Sequence, residues 1–327
     1  MGKSGPPVLE PRTLAFDVAL EAKGGNRVYE LSYVAARETF EDAQRVEGGK
    51  LPATFEDKVL PTGPAGEVAV RIYRPPDASG LLPVAMYFHG GGWVLGSKNT
   101  HDRLVRELVN DANIAVVFVD YTRAPEAQFP LAIEQAYSAT RYVGEHGTEL
   151  GLDAARIAVI GDSAGGNMAT VVALLAKERG GPPICLQVLL YPATDAAMSQ
   201  PSYEEFSRGP WLTKAAMAWF WEAYVPNQDD RRSAKASPLL ASLEQLRGLP
   251  PALIIVDEID VLRDEGEQYA RRLIRAGVEV TALRVLATHH DFAVLNALAE
   301  TPAAKFAVRT VSRYLVEALR PEGVQAP

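Results

Sequence analysis

Gly161-Asp162-Ser163-Ala164-Gly165-Gly166-Asn167 follows directly on the apolar run Ile157 to Ile160 and opens a helix-compatible stretch, Asn167 to Lys177. A Gly-x-Ser-x-Gly match by itself is a weak signal. Set between a strand and a helix, it puts a serine on a sharp, strained turn. Gly161 and Gly165 remove the side chains that would clash where strand and helix approach, so Ser163 projects clear of the sheet. The amide of Ala164 then lies at a helix N-terminus, where unpaired N–H groups and the helix dipole favour negative charge. This fits attack on a carbonyl with the resulting anion held nearby. A glycine-rich turn without chemistry is the alternative reading.

His89-Gly90-Gly91-Gly92-Trp93 follows the strand-like run Val84 to Phe88 and offers amides with no side chain in the way. Gly91 and Gly92 are the candidate oxyanion donors. Read as a dinucleotide loop, Gly90, Gly92 and Gly96 have the wrong final spacing, and no helix-like run follows.

A serine hydroxyl is a poor nucleophile near neutral pH and needs a histidine base, itself oriented by a carboxylate. Of five histidines, His89 belongs to the glycine loop. His101, after Ser97-Lys98-Asn99-Thr100, and His146, within Gly144-Glu145-His146-Gly147, read as solvent-facing. His289 and His290 remain, just beyond the run Val278 to Val285, at the carboxyl edge where ligands gather in open α/β sheets. As metal ligands, His289, His290 and Asp291 are poor candidates, because adjacent residues rarely converge on one ion and no spaced partner appears. For the carboxylate, Val256-Asp257-Glu258-Ile259-Asp260-Val261-Leu262-Arg263-Asp264 ends another strand at the same edge, with four acids competing. Asp264 and Glu265 suit the first turn of a following helix.

These residues need a scaffold. Thr13 to Ala22 and Val28 to Gln44 mix apolar and charged residues at helical spacing and read as helices outside the main core. Phe55 to Leu60, Glu67 to Tyr73 and Val84 to Phe88 read as hairpin-connected strands. Ile114 to Val119, Ile157 to Ile160, Leu186 to Leu190, Ala252 to Val256 and Val278 to Val285 are then apolar runs separated by helix-compatible stretches, which predicts a parallel sheet covered by helices. Ala307, Val308, Val311, Tyr314, Leu315 and Leu319 predict a last helix, after Pro302, packed on that sheet. Ala196 to Ser237 breaks the alternation; its segment Trp211 to Val225 holds three of the four tryptophans, which makes it a candidate lid.

The 327 residues are 47% hydrophobic and 23% charged, the composition of an ordinary globular chain, and 33 basic against 41 acidic residues give a formal net charge of -8. That balance argues against nucleic acid or an anionic membrane surface as partner. No apolar run approaches the roughly 18 residues needed to span a bilayer, and Met1 to Pro7 contains no leader-like apolar core. The single cysteine, Cys185, excludes an internal disulfide and a multi-cysteine zinc site and reads as a buried structural thiol. The expectation is a cytoplasmic protein.

With its motifs in this order, the chain resembles the hormone-sensitive-lipase-like branch of the α/β-hydrolase family, bacterial carboxylesterases that carry His-Gly-Gly-Gly and Gly-Asp-Ser-Ala-Gly-Gly. The likeness runs from about Phe55 to the C-terminus. Asp120-Tyr121-Thr122-Arg123-Ala124-Pro125-Glu126 is similar to the family's Asp-Tyr-Arg-Leu-Ala-Pro-Glu, departing at Thr122 and Arg123. The family's catalytic histidine stands in His-Gly-Phe, which matches His290-Asp291-Phe292 with Asp291 in the glycine's place. Its acid stands first in the Asp-Pro-Leu-Arg-Asp part of a Glu-x-Asp-Pro-Leu-Arg-Asp motif, which matches Asp260, with Val261 in the proline's place and Glu258 as a supporting group. The resemblance therefore implies a catalytic triad of Ser163, Asp260 and His290, in the chain order of this family, with Gly91, Gly92 and Ala164 as oxyanion hole.

It further implies an α/β-hydrolase fold: a mostly parallel central sheet with an antiparallel N-terminal part, helices on both faces and a helical cap. Residues 1–53 would form the N-terminal cap segment, 54–195 and 238–327 the catalytic core, and 196–237 the cap insertion. The implied activity is hydrolysis of short to medium acyl-chain carboxylic esters, with a small-molecule ester as partner, no cofactor or metal, and a homodimer as assembly. Trp93 either borders the oxyanion loop, as a substrate-binding candidate, or is core. Trp211, Trp219, Phe220, Trp221 and Tyr224 either line a pocket, with Trp211 and Phe220 as the substrate-binding candidates, or pack between cap helices. An amidase or lactone hydrolase would use the same triad, whereas a ligand-binding protein on a retired scaffold should have lost a member of it.

Overall fold

The computed structural model describes residues 7–45 and 49–319. The reading of Met1 to Pro6 as free of a leader lies outside the described residues. Eight strands form one sheet: β1 (Thr54–Leu60), β2 (Val68–Arg74), β3 (Leu82–Phe88), β4 (Ala115–Val119), β5 (Leu152–Asp162), β6 (Ile184–Leu190), β7 (Ala252–Ile259) and β8 (Val280–His289). Their order is β1-β2-β4-β3-β5-β6-β7-β8, and only β2 runs against the rest.

The apolar runs became strands where periodicity placed them, and alternate residues serve opposite faces. Val84, Met86 and Phe88 join one core cluster, and Ala85 and Tyr87 the other. On the first face pack α4 (Leu131–His146), α5 (Ala164–Arg179) and α9 (Arg263–Arg275); on the second pack α3 (Asp102–Ala112) and α10 (Pro302–Leu319). Each large apolar side chain taken out of water contributes roughly 1.5–3 kcal/mol before chain entropy is charged against it. On α10, the expected Ala307, Val308, Val311, Leu315 and Leu319 are buried.

Two expectations are corrected. The strand β3 is not hairpin-paired with β2, because β4 lies between them. Its residues are buried on both faces, which suits the middle of a sheet with parallel neighbours. The strand β8 is the sheet's edge, and its exposure alternates until the last residues, as an edge strand with one wetted face should.

Two helices precede the sheet, as their mixed pattern predicted. In α1 (Pro11–Lys23), Glu10 caps the amides of Arg12 and Thr13 at 2.9 and 3.0 Å. In α2 (Tyr33–Ala43), Ser32 caps Ala35 at 3.2 Å. The segment between β6 and β7 holds α6 (Pro201–Glu205), α7 (Lys214–Tyr224) and the short α8 (Leu243–Leu246). Among the described residues no helix is long and apolar enough to cross a membrane.

Candidate active site

Ser163 joins β5 to α5 with φ 53° and ψ -119°, a conformation that costs a non-glycine residue of order 1–3 kcal/mol. The surroundings enforce it. A Cβ on Gly161 would stand 2.1 Å from the Gly165 carbonyl oxygen, and one on Gly165 would stand 1.9 Å from that of Phe88. The Ser163 amide donates to Leu190 at 2.8 Å, and its carbonyl accepts from Asn167 and Ala193 at 3.1 and 3.2 Å, so the turn is pinned on both sides.

At the same carboxyl edge of the sheet, Ile259 pairs with His289, beyond a register shift, as the last pair of β7 and β8. The next residue on each chain is Asp260 and His290. His290 Nε2 lies 2.9 Å from Ser163 Oγ, and its Nδ1 lies 2.8 Å from Asp260 Oδ2. Asp260 Oδ1 also accepts from the Leu262 amide at 3.0 Å, fixing the carboxylate. With Nδ1–H donating to Asp260, Nε2 presents a lone pair to the serine hydroxyl, the tautomer that a general base requires. Exposure is 4% for Ser163, 3% for His290 and 2% for Asp260.

Electrostatics reinforce the geometry. Burial works against a charged His290, but the carboxylates of Asp260 and Asp291 outweigh it and hold the imidazole up at about 9. Asp257, fully buried, is pushed well above the ordinary carboxylate range by burial and then by Asp260 and Asp291. Asp257, Asp260 and His290 bring one donor atom each within 4.8 Å of one another. Both nitrogens of that imidazole are already engaged by Ser163 and Asp260, so the group serves the hydrogen-bond chain instead of presenting free metal ligands.

The glycine loop lies beside the serine. Gly91 and Gly92 have φ 97° and 60°, and their amides, like that of Ala164 at the first turn of α5, donate to no acceptor among the described residues. Three amides without an acceptor among the described residues therefore lie on the serine turn and on the loop whose Gly90 rests against Asp162. The loop is anchored from below: Tyr121 stacks on His89 at 4.2 Å and donates to its carbonyl at 2.9 Å, and Arg123 donates to Gly96 at 2.7 Å. The segment in which Thr122 and Arg123 depart from the family pattern thus acts as the loop's foundation.

A family model described as alpha/beta hydrolase fold matches residues 85–294. An alpha/beta hydrolase of Acanthamoeba polyphaga mimivirus is 43% identical over 88% of this chain and 83% of its own length. The ethyl acetate hydrolase of Pseudomonas putida is 38% identical over 81% of this chain and 84% of its own. The crystal structure of a thermostable esterase from Pseudomonas putida ECU1011 superposes with TM-score 0.95 at 46% identity, covering 98% of this chain and all of that one. The chain belongs to the α/β-hydrolase family.

In this hydrolase the other expected residues part company. Trp93 is core, fully buried and stacked on Tyr224 at 4.5 Å, with Trp221 at the same separation. Trp219 stacks on Tyr33 at 4.9 Å. Packing therefore accounts for those aromatics. Phe220 and Trp211 face the site: a Cβ on Gly92 would meet the Phe220 ring at 2.2 Å, and Trp211 Nε1 donates to Asp291 Oδ2 at 2.9 Å. Asp291 has φ 68°, which explains why its position suits glycine and tolerates aspartate. Its other oxygen lies 3.6 Å from His290 Nε2.

The remaining histidines also sort out. His289 points to Asp17 of α1, 3.2 Å from Nε2, and its Nδ1 meets the His290 carbonyl at 2.7 Å. His146 is half-exposed beside Glu149, as expected. His101 overturns the expectation of a solvent-facing loop residue: it is 1% exposed, with Nε2 3.3 Å from Asp162. His89 is buried, and burial, followed by the charge of His101, pushes it down to about 3, so it stays neutral. Glu258 supports the site at a distance by accepting from the Ala287 amide at 2.8 Å, where β8 bends. Cys185 is half-buried, and burial pushes its thiol up to about 11, so it is inert.

Proposed function

We propose that this hydrolase is a serine carboxylesterase of the hormone-sensitive-lipase-like branch, acting on short to medium acyl-chain esters through an acyl-enzyme. The observation that carries the reading is the buried chain of hydrogen bonds from Ser163 through His290 to Asp260, at 2.9 and 2.8 Å, beside three unpaired amides. Ser163 Oγ attacks the ester carbonyl carbon while His290 Nε2 takes its proton. The carbonyl oxygen becomes an anion held by the amides of Gly91, Gly92 and Ala164, and Asp260 steadies the imidazolium. His290 then returns the proton to the departing alkoxide, and the alcohol leaves. In the second half His290 activates a water that attacks the acyl carbon, and collapse releases the acid and restores Ser163.

The cap is part of the same proposal. The N-terminal segment and the insertion 196–237 both reach the site. From α2, Arg37 donates to Val94 and Ala124 at 2.9 and 2.8 Å; from the insertion, Phe220 covers Gly92 and Trp211 holds Asp291. Aromatic closure this near the reacting atoms supports small acyl groups over long ones.

Hydrolysis of p-nitrophenyl esters from acetate to palmitate, with wild type beside Ser163→Ala, tests the reading. Expected is a peak at short or medium chains and a loss of at least ~10⁴-fold in the variant. Folded wild type inactive on every ester, yet active on an amide or lactone panel, would move the substrate class. Activity surviving in Ser163→Ala would displace the nucleophile.

A further inference from the structure

Asp162 is the last residue of β5, directly before Ser163, and its side chain turns away from the substrate side to lie under the glycine loop. Its Oδ2 accepts from the Gly90 amide at 3.1 Å, and Gly90 immediately precedes the two glycines whose amides are unpaired. A Cβ on Gly90 would come within 2.1 Å of that same oxygen, so the loop rests on the carboxylate. One side chain thus ties the turn that carries the nucleophile to the loop that carries two of the oxyanion donors.

The carboxylate is held from two sides. Tyr87 donates to Oδ1 at 2.7 Å, and His101 Nε2 stands 3.3 Å from Oδ2. His101 is itself braced: its Nδ1 is 2.8 Å from Thr100 Oγ1, which also accepts from the Ser97 amide and donates to the Ser97 carbonyl, both at 2.9 Å. The Thr100 hydroxyl proton is committed to Ser97, so both ring nitrogens of His101 face acceptors. Gln44, which caps the C-terminus of α2, ties this turn down further by donating to the Thr100 carbonyl at 2.8 Å. Burial alone would push Asp162 up, yet His101 and Tyr87 bring it below the ordinary carboxylate range, so a charge persists with 1% exposure. A buried carboxylate is costly relative to apolar packing. Its expense is understandable where backbone amides must sit at a fixed distance from a nucleophile.

We propose that His101 is a positioning residue for the oxyanion donors: through Asp162 it fixes Gly90, and with it Gly91 and Gly92, relative to Ser163. It touches no reacting atom. The proposal rests on the serine-esterase reading above and adds a requirement to it.

The test uses His101→Asn, whose side chain is too short to reach Asp162, and His101→Gln, whose amide can reach it, with p-nitrophenyl butyrate as substrate and butylboronic acid as tetrahedral mimic. Since one lost oxyanion donor costs about 10²–10³ in turnover, displaced donors should cost His101→Asn about 30–100-fold in kcat. KM should stay within about twofold, the boronic acid should bind weaker by a factor matching the kcat loss, and His101→Gln should recover most of the loss. A His101→Asn enzyme with wild-type kcat and boronate affinity overturns the proposal, as does a loss carried by KM or an equal loss in both variants. Should His101→Asn not fold, Tyr87→Phe decides, because it removes only the second brace on Asp162. A kcat several-fold lower at unchanged KM supports positioning, and a wild-type kcat overturns it. Wild type inactive toward every ester would instead overturn the esterase reading, and with it this one.

Discussion

The nucleophile side of the site and the base side are held by different forces. Around Ser163 the constraint is volume: Gly161 and Gly165 have no room for a methyl group, and Ser163 sits at φ 53° because strand, helix and loop backbones meet there. Around His290 the constraint is charge: Asp260 and Asp291 are buried within a few residues of the strand ends, and the histidine is held up at about 9 against its burial. The nucleophile is therefore placed by what is left out of the chain, the base by what is packed around it. The first arrangement should fail when atoms are added, the second when charge is removed at constant size.

The largest effect expected on this view comes from a change that adds no volume. Asp260→Asn keeps shape but offers His290 Nδ1 an amide, which favours the wrong tautomer. Turnover should fall about 10⁴-fold while the thermal midpoint stays within a few degrees. A loss below tenfold would show that the base is oriented by something other than this carboxylate.

Gly165→Ala makes the opposite change, one methyl group and no charge. Its Cβ would overlap the Phe88 carbonyl, which is backbone at the end of β3 and cannot swing aside. Displacing the turn or the loop should cost about 10³-fold in kcat, comparable to losing an oxyanion donor. Overpacking of this kind also costs about 1–3 kcal/mol or more, so thermal denaturation should show a midpoint lower by several degrees. Wild-type kcat with an unchanged midpoint would mean that volume does not govern this side.

The same contrast explains what the residues revealed before the structure. The serine turn was legible because its constraint is local: two glycines, a strand and a helix within a dozen positions. The loop at Gly91 and Gly92 was legible for the same reason. The base and acid were not settled by pattern alone, since consecutive residues at a strand end point in opposite directions. His289 reaches α1 while its neighbour His290 reaches Ser163, and four acids crowd the end of β7. The polar neighbours of His101 describe a solvent-facing loop, whereas the partner that buries it, Asp162, is 61 positions away. Trp93 belongs to the core through Trp221 and Tyr224, contacts that only the fold creates. The strand runs were placed well, but their order was not: nothing within β2, β3 or β4 says that β4 inserts between the other two.

The smallest effect sharpens the charge side. A general base works only when neutral, so kcat/KM should rise with pH through the range in which His290 loses its proton, toward about 9. Asp291, in the position where the family carries glycine, stands after Asp260 and before Asp162 among the three carboxylates that hold His290 up. In Asp291→Asn the amide oxygen can still accept from Trp211, so the contact to the insertion survives, while one negative charge beside the imidazolium is gone. The acidic limb of kcat/KM should then move to lower pH, with little change on the alkaline plateau. Asp257→Asn is the control: the burial that pushes this acid far above the ordinary range keeps it neutral, so an amide replaces it nearly like for like and the limb should stay in place. A limb that ignores Asp291 would assign the raised imidazole to Asp260 and Asp162, and one that moves with Asp257 would show that its carboxyl is charged in the working enzyme.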